Sequence, residues 1–202
     1  MARPQKPLIL RDLVVEAATQ IIVSEGLDAL SLRALGARLN VNFASLYHHF
    51  AKKEDILMAV ARAALREIEL PPVTENWQDW ICNNAVAYRR LLVKKPFLLS
   101  LILSGIRPRT GAYAISDAKL LEAGVPDDLR AEFLIALDCT VIGSALVSMN
   151  SAHIEGARNG TYFDHEAILR STIQLLLDKM IEESGKCARA TEKQRDIDTA
   201  QA

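Results

Sequence analysis

Residues 30–50 read LSLRALGARLNVNFASLYHHF, and the reading of this stretch decides the fold. Leu32, Leu35 and Leu39 recur three and four apart, the spacing of one face of a short helix. Ser31 precedes them as an N-cap, because its hydroxyl can accept a bond from an otherwise orphaned backbone N–H. Gly36 is small enough to let a second helix cross closely. Asn40 breaks the pattern and tolerates the left-handed backbone of a tight turn. Val41 plugs the core under that turn. A second short helix is predicted from Phe43 to His49, with Leu46 and Phe50 turned inward. Helix, tight turn and helix within about twenty residues make a helix-turn-helix, whose second helix enters a DNA major groove.

The side chains left on the outer face are Asn42, Ala44, Ser45, Tyr47, His48 and His49. They are short polar groups, hydrogen-bonding rings and one small apolar residue, a set suited to base edges and phosphates. Lys52 and Lys53 follow at once. A plain helical hairpin with a solvated face could carry the same residue types. The Gly36/Asn40 spacing, the run Ser45 to Phe50 and the lysine pair favour the DNA reader.

The run 29–57, ALSLRALGARLNVNFASLYHHFAKKEDIL, resembles the DNA-binding signature of the TetR family of transcriptional regulators. The likeness extends upstream to the first helix and its Glu25-Gly26 end, so it covers roughly the first sixty residues. A weaker likeness lies at Trp77-Gln78-Asp79-Trp80, at Asn83-Asn84 and at Gly105-Ile106-Arg107-Pro108. These resemble the ligand-binding half of the tetracycline repressors in that family. The resemblance implies that Arg33, Asn42, Phe43, Ala44, Ser45, Tyr47, His48, His49 and Lys53 face DNA. Tyr47 and Lys53 would touch phosphates, and Phe43 would pack either on a thymine methyl or in the core. It further implies a homodimer whose interface is a four-helix bundle, two helices from each chain. A twofold axis then supplies the paired readers that a palindromic operator requires.

Composition sets outer bounds. The 202 residues allow one large or two small helical domains, half of them are apolar, and aromatics are 5 %. A net charge of −1 argues against indiscriminate coating of nucleic acid. It leaves room for specific binding, since Arg3, Lys6, Arg33, Arg38, Lys52 and Lys53 cluster near the N-terminus. Cys82, Cys139 and Cys187 are far apart and form no CxxC, which predicts a reducing, cytoplasmic setting without disulfides or zinc. No basic-then-apolar leader opens the chain. The longest apolar stretch, Phe133 to Met149, is broken by Asp138, Thr140, Ser144 and Ser148 and reads as a buried helix rather than a membrane span.

The periodicity predicts helices over Ile9–Ser24, Lys53–Ile68, Asn76–Lys94, Phe97–Leu103, Thr110–Ala123, Asp127–Ile154 and from Asp164 to a stop at Gly185. The fold class is all-α: an N-terminal three-helix helix-turn-helix domain and a larger helical ligand-binding and dimerisation domain. Residues 1–52, with a basic arm, form the reader. Residues 53–70 form a connecting helix that ends at Pro71-Pro72, and residues 71–185 form the second domain. Residues 186–202 are polar and aperiodic and read as a disordered tail. Small residues on the long helix, Gly143, Ser144, Ala145 and Ser148, suit a close helix partner.

A ligand pocket is expected from Trp80, Asn84, Tyr88, Leu99, Leu103, Ile106, Arg107, Asp138, Cys139 and Ile142, mostly apolar with a few polar groups. Each could equally be plain core. By resemblance, Asn84 matches a ligand-contacting Asn and Tyr88 an aromatic position. The family's metal-binding His corresponds here to Leu103 and its neighbouring Glu to Val147. Apolar side chains cannot hold Mg²⁺, so no metal or cofactor is expected, and the effector should be metal-free and partly apolar. No phosphate loop, nucleophile motif or metal-spaced cluster points to an enzyme. The sequence therefore reads as a ligand-responsive regulator, with double-stranded DNA, a small effector and a second copy as partners and no membrane. A helical interaction module without DNA function is the other reading.

Overall fold

The computed structural model describes residues 7–42, 46, 49–72, 76–108, 111–155 and 163–200. Among them the chain forms eight α-helices, one 3-10 turn and no strand. In order these are α1 (Pro7–Glu25), the 3-10 turn (Leu27–Ala29), α2 (Leu32–Leu39), α3 (Lys53–Leu65), α4 (Trp77–Lys94), α5 (Phe97–Leu103), α6 (Gly111–Glu122), α7 (Asp127–Glu155) and α8 (His165–Ala200). The fold is all-α, as the periodicity predicts. They belong to two compact units: the described residues of Met1–Ile68 with Lys94–Thr110, and those of Glu69–Val93 with Gly111–Ala202. The sequence reading instead places one break at Pro71-Pro72. The chain interleaves because α5 packs on α3 and on the 3-10 turn, burying Leu98 and Leu101 in the first unit.

In the first unit α1 packs on α2, α3 and the 3-10 turn. Val14, Ala17, Ala18, Ile21 and Ile22 of α1 are buried with Leu30, Leu35, Ile56, Leu57, Val60 and Ala61. Leu13, on the apolar stripe of α1 by periodicity, is instead exposed. Gly26 ends α1 at φ 90°, a conformation that costs a side-chain-bearing residue but not glycine. Asp55 accepts the Lys52 N–H at 3.1 Å and starts α3. That helix stops at Leu65 rather than Ile68, because the backbone tightens: Glu67 N–H bonds Ala64 O and Ile68 N–H bonds Leu65 O.

In the second unit α7 runs against α8, and α6 packs on α7. Asn76 caps α4, its Oδ1 accepting from the backbone of Gln78 and Asp79. Asp164 caps α8 by accepting from Glu166 and Ala167. Gly124, at φ 77°, closes α6, and Val125 N–H returns to Leu120 O at 3.0 Å. Phe133, Leu134, Leu137, Val141 and Ala145 of α7 are buried, as are Leu169, Ile173, Leu177 and Met180 of α8.

Helix α8 passes through the expected stop at Gly185 and continues to Ala200, into the stretch read as a disordered tail. Ion pairs one turn apart, Lys179 with Glu183 and Lys186 with Glu182, both at 2.6 Å, brace the turns around the glycine. From Asp127 to Met149 α7 is long and apolar enough to cross a membrane by length and composition, yet only 28 % of its most apolar window is buried within the chain.

Candidate functional site

Ser31 Oγ accepts the Ala34 N–H at 3.0 Å and starts α2 as the sequence predicts. The helix ends on Asn40, which adopts φ 51° and ψ 44°, the left-handed turn the sequence reading assigns to it. Its N–H and that of Val41 return to carbonyls of the last turn, Val41 to Gly36 O at 3.0 Å. Leu35 and Gly36 are buried beneath. On the far side of the turn Leu46 and Phe50 are buried, and both His49 N–H and Phe50 N–H bond Leu46 O, at 3.0 and 2.9 Å. Five of the expected DNA-facing residues, Phe43, Ala44, Ser45, Tyr47 and His48, lie outside the described residues, as does the basic arm with Arg3 and Lys6.

The other four are placed. Arg33 on α2 and Asn42 after the turn are exposed, and His49 is half-buried. Lys53 is half-buried, and its Nζ donates to Leu27 O at 3.3 Å. The ammonium thus ties α3 to the 3-10 turn, and an ammonium has three donors to share. Arg38, counted in the basic cluster, pairs with Glu25 and Gln20 of α1, each at 3.4 Å. One contact escapes the sequence reading. The Arg11 guanidinium lies 4.7 Å from the centroid of the Phe50 ring. Its Nη1 donates to His49 O at 3.5 Å.

The expected pocket residues divide between the units. Leu99 and Ile106 are core of the first unit, where Arg107 is exposed and Leu103 is 72 % exposed. In the second unit Trp80 is buried and its Nε1 donates to Pro71 O at 3.1 Å. Tyr88, Asp138 and Ile142 are half-buried, and Cys139 is exposed. Asn84 stands apart: its Oδ1 is buried and has no hydrogen-bond partner. Among the described residues no three His, Cys, Asp or Glu side chains come together to hold a metal ion.

A polar lock in the second unit has no local sequence signal. Arg89 is buried, donates from Nε to Ser144 Oγ at 3.0 Å and lies 3.7 Å from Glu166. Arg90 grips the same carboxylate with two bonds, 2.8 and 2.6 Å. Arg170 donates to Asn83 Oδ1 at 2.8 Å. The Arg90 bonds, against some desolvation, hold the Glu166 carboxyl below its usual range. Asp164 is also lowered, first by the backbone N–H of Ala167 and then by that of Glu166. Burial pushes the Cys82 thiol up. The lock fixes α4 to α7 and α8.

A capped helix, a left-handed turn and the buried Leu46 and Phe50 behind it define a helix-turn-helix protein with a second, helical unit. Residues 14–60 match the family model described as bacterial regulatory proteins, tetR family. An HTH-type transcriptional regulator of Saccharopolyspora erythraea is 31 % identical over 121 residues, 59 % of this chain and 50 % of the relative. Tetracycline repressor protein class A from transposon 1721 of Escherichia coli is 29 % identical over 154 residues, 73 % of this chain and 71 % of the relative. A TetR variant from Acinetobacter baumannii solved with minocycline superimposes with a TM-score of 0.67 at 26 % identity, over 86 % of this chain and 97 % of that one. Residues 14–60 thus carry the DNA-binding domain of the bacterial TetR regulatory family, and the chain as a whole is similar to tetracycline repressors of that family. Its match spans half the length of the first of these relatives.

Proposed function

We propose that the chain is a repressor that binds a palindromic operator as a homodimer in the cytoplasm and leaves it when a small effector binds. The reading of DNA is carried by the left-handed turn at Asn40 with Leu46 and Phe50 buried behind it. In this reading Asn42, Ala44, Ser45, His48 and His49 face the groove, Tyr47 and Lys53 the phosphates, Arg33 a base or a phosphate, and Phe43 packs on a thymine methyl or in the core. The protein acts by binding, without catalysis.

The dimer is supported by apolar surface that one chain leaves uncovered. Ile135 on α7 is 63 % exposed and Leu175 on α8 is 69 % exposed, with Val147 and Ile168 also open. Large apolar area in water marks an interface. The effector is supported by Asn84, whose buried carbonyl oxygen lacks a donor. A buried acceptor left unpaired costs about 1–3 kcal/mol, so a ligand that brings a donor gains from filling it. Trp80 and Tyr88 lie one helical turn before and after Asn84 on α4, and Leu103 and Val147 offer no oxygen to a metal.

To move the protein from 1:99 to 99:1 between its two states, the effector needs about 5.5 kcal/mol of differential affinity. The test is a panel of partly apolar compounds with hydroxyl or amide donors, scored for release of operator DNA with and without Mg²⁺. Release without Mg²⁺ that weakens at least tenfold in Asn84→Leu supports the reading. Release that strictly requires Mg²⁺ contradicts it.

A further inference from the structure

The structure carries one device in the reader that its motif does not contain. Leu46 and Phe50 are buried in the first unit, and between them the chain makes a turn in which His49 N–H and Phe50 N–H both bond Leu46 O. A helical turn ends in carbonyls without intrahelical donors, and a cation placed there is favoured by the local dipole. Arg11, on the neighbouring α1, occupies that place: its Nη1 donates to His49 O at 3.5 Å, and its guanidinium stands over the Phe50 ring at 4.7 Å. Arginine is suited to both tasks at once, because its planar fork stacks on a ring while its N–H groups reach sideways. Phe50 is fully packed beneath, so the ring is a fixed platform. Arg11 itself is exposed, so little of the first unit's core depends on it.

We infer that Arg11 is a positioning residue for operator recognition: it fixes the exit of the reading segment from α1, and so sets how sharply the protein tells its operator from other DNA. The inference rests on the DNA-reading role proposed above. A guanidinium at this surface could instead neutralise a phosphate directly, and the two roles leave different marks. A phosphate contact strengthens binding to every sequence and adds about 0.9 to the salt slope. A positioning residue changes discrimination and leaves the slope alone.

The experiment compares the parent chain with R11K and R11M on two duplexes of equal length, one selected by the parent from random sequence and one scrambled. Affinities are measured across salt concentrations, and thermal unfolding is followed for each protein. Cation–π and charged hydrogen-bond strengths predict about a tenfold fall in the operator-to-scrambled ratio for R11M. R11K, which keeps the charge but not the fork, falls nearly as far. The salt slope on scrambled DNA stays at the parent's value, and the thermal midpoint falls by no more than a few degrees. An equal loss on both duplexes with a shallower slope, restored by R11K, makes Arg11 a phosphate contact and overturns the inference. Parent-like ratios in both variants overturn it too. A parent chain that selects no duplex overturns the DNA-reading role and the inference with it.

Discussion

Glu166 shows how the second unit is held at the level of single side chains. Its carboxylate, 31 % exposed, faces buried Arg89 on one side and the 64 % exposed Arg90 on the other. Removing the exposed partner costs little, whereas removing the carboxylate leaves Arg89 desolvated without its counter-charge. Glu166→Ala should therefore destabilise the protein by about 1–3 kcal/mol, and Arg90→Ala by less than about 1 kcal/mol, as read from urea unfolding. The pH dependence follows the same contacts. The folded-state pKa of Glu166 is depressed, so its contribution is present above the unfolded value near 4.3 and is lost as pH falls through the folded one. Glu166→Gln should flatten the loss of stability below about pH 5; an acid limb as steep as the parent's would show that the lock is not what titrates. None of this is legible in the sequence. Nothing local to Arg89-Arg90 announces it, since the Ser144 partner lies 55 residues away. Asn84, by contrast, is legible as a polar residue on an otherwise apolar face, though not as one whose oxygen lacks a donor.

Elements begin and end where local chemistry says so, and those boundaries are the legible part of the fold. Ser31, Asn76 and Asp164 cap α2, α4 and α8, each through bonds to backbone N–H groups within three residues. Gly26, Gly105 and Gly124 close helices with positive φ. Asn40 is the one described residue other than glycine with positive φ. It permits a clean test of the turn. Asn40→Gly should leave stability within about 0.5 kcal/mol, while Asn40→Val should cost about 1–2 kcal/mol and weaken operator binding more than tenfold. Equal behaviour of the two variants would remove the left-handed turn from the account. The end of α8 is where local reasoning fails. A glycine amid lysine and glutamate looks like a stop, but the paired side chains of neighbouring turns let the helix continue through it. The exit of α3 fails for a similar reason, since its last apolar residue, Ile68, lies beyond a tightened final turn.

At the scale of the whole molecule, the apolar pattern announces more helix surface than one chain covers. Leu175→Glu places a charge where 69 % of the side chain is open to solvent, so the monomer should keep its fold and lose its partner. Light scattering should then report half the parent's mass with an unchanged helical spectrum; a variant that still dimerises would move the interface elsewhere. The split into interleaved units was hidden from the sequence, because the segment 94–110 is joined to the first unit by packing rather than by chain order. The central claim is that two such chains read two half-sites together. It is tested most directly by selecting duplexes from random sequence with the purified protein and counting the chains bound to the winners. The account predicts a twofold-symmetric sequence whose half-site centres lie about one helical turn, roughly 34–36 Å, apart. Two chains occupy it, and the logarithm of the affinity falls linearly with the logarithm of salt. Selection that enriches no sequence, or that enriches a lone half-site bound by one chain, would contradict it.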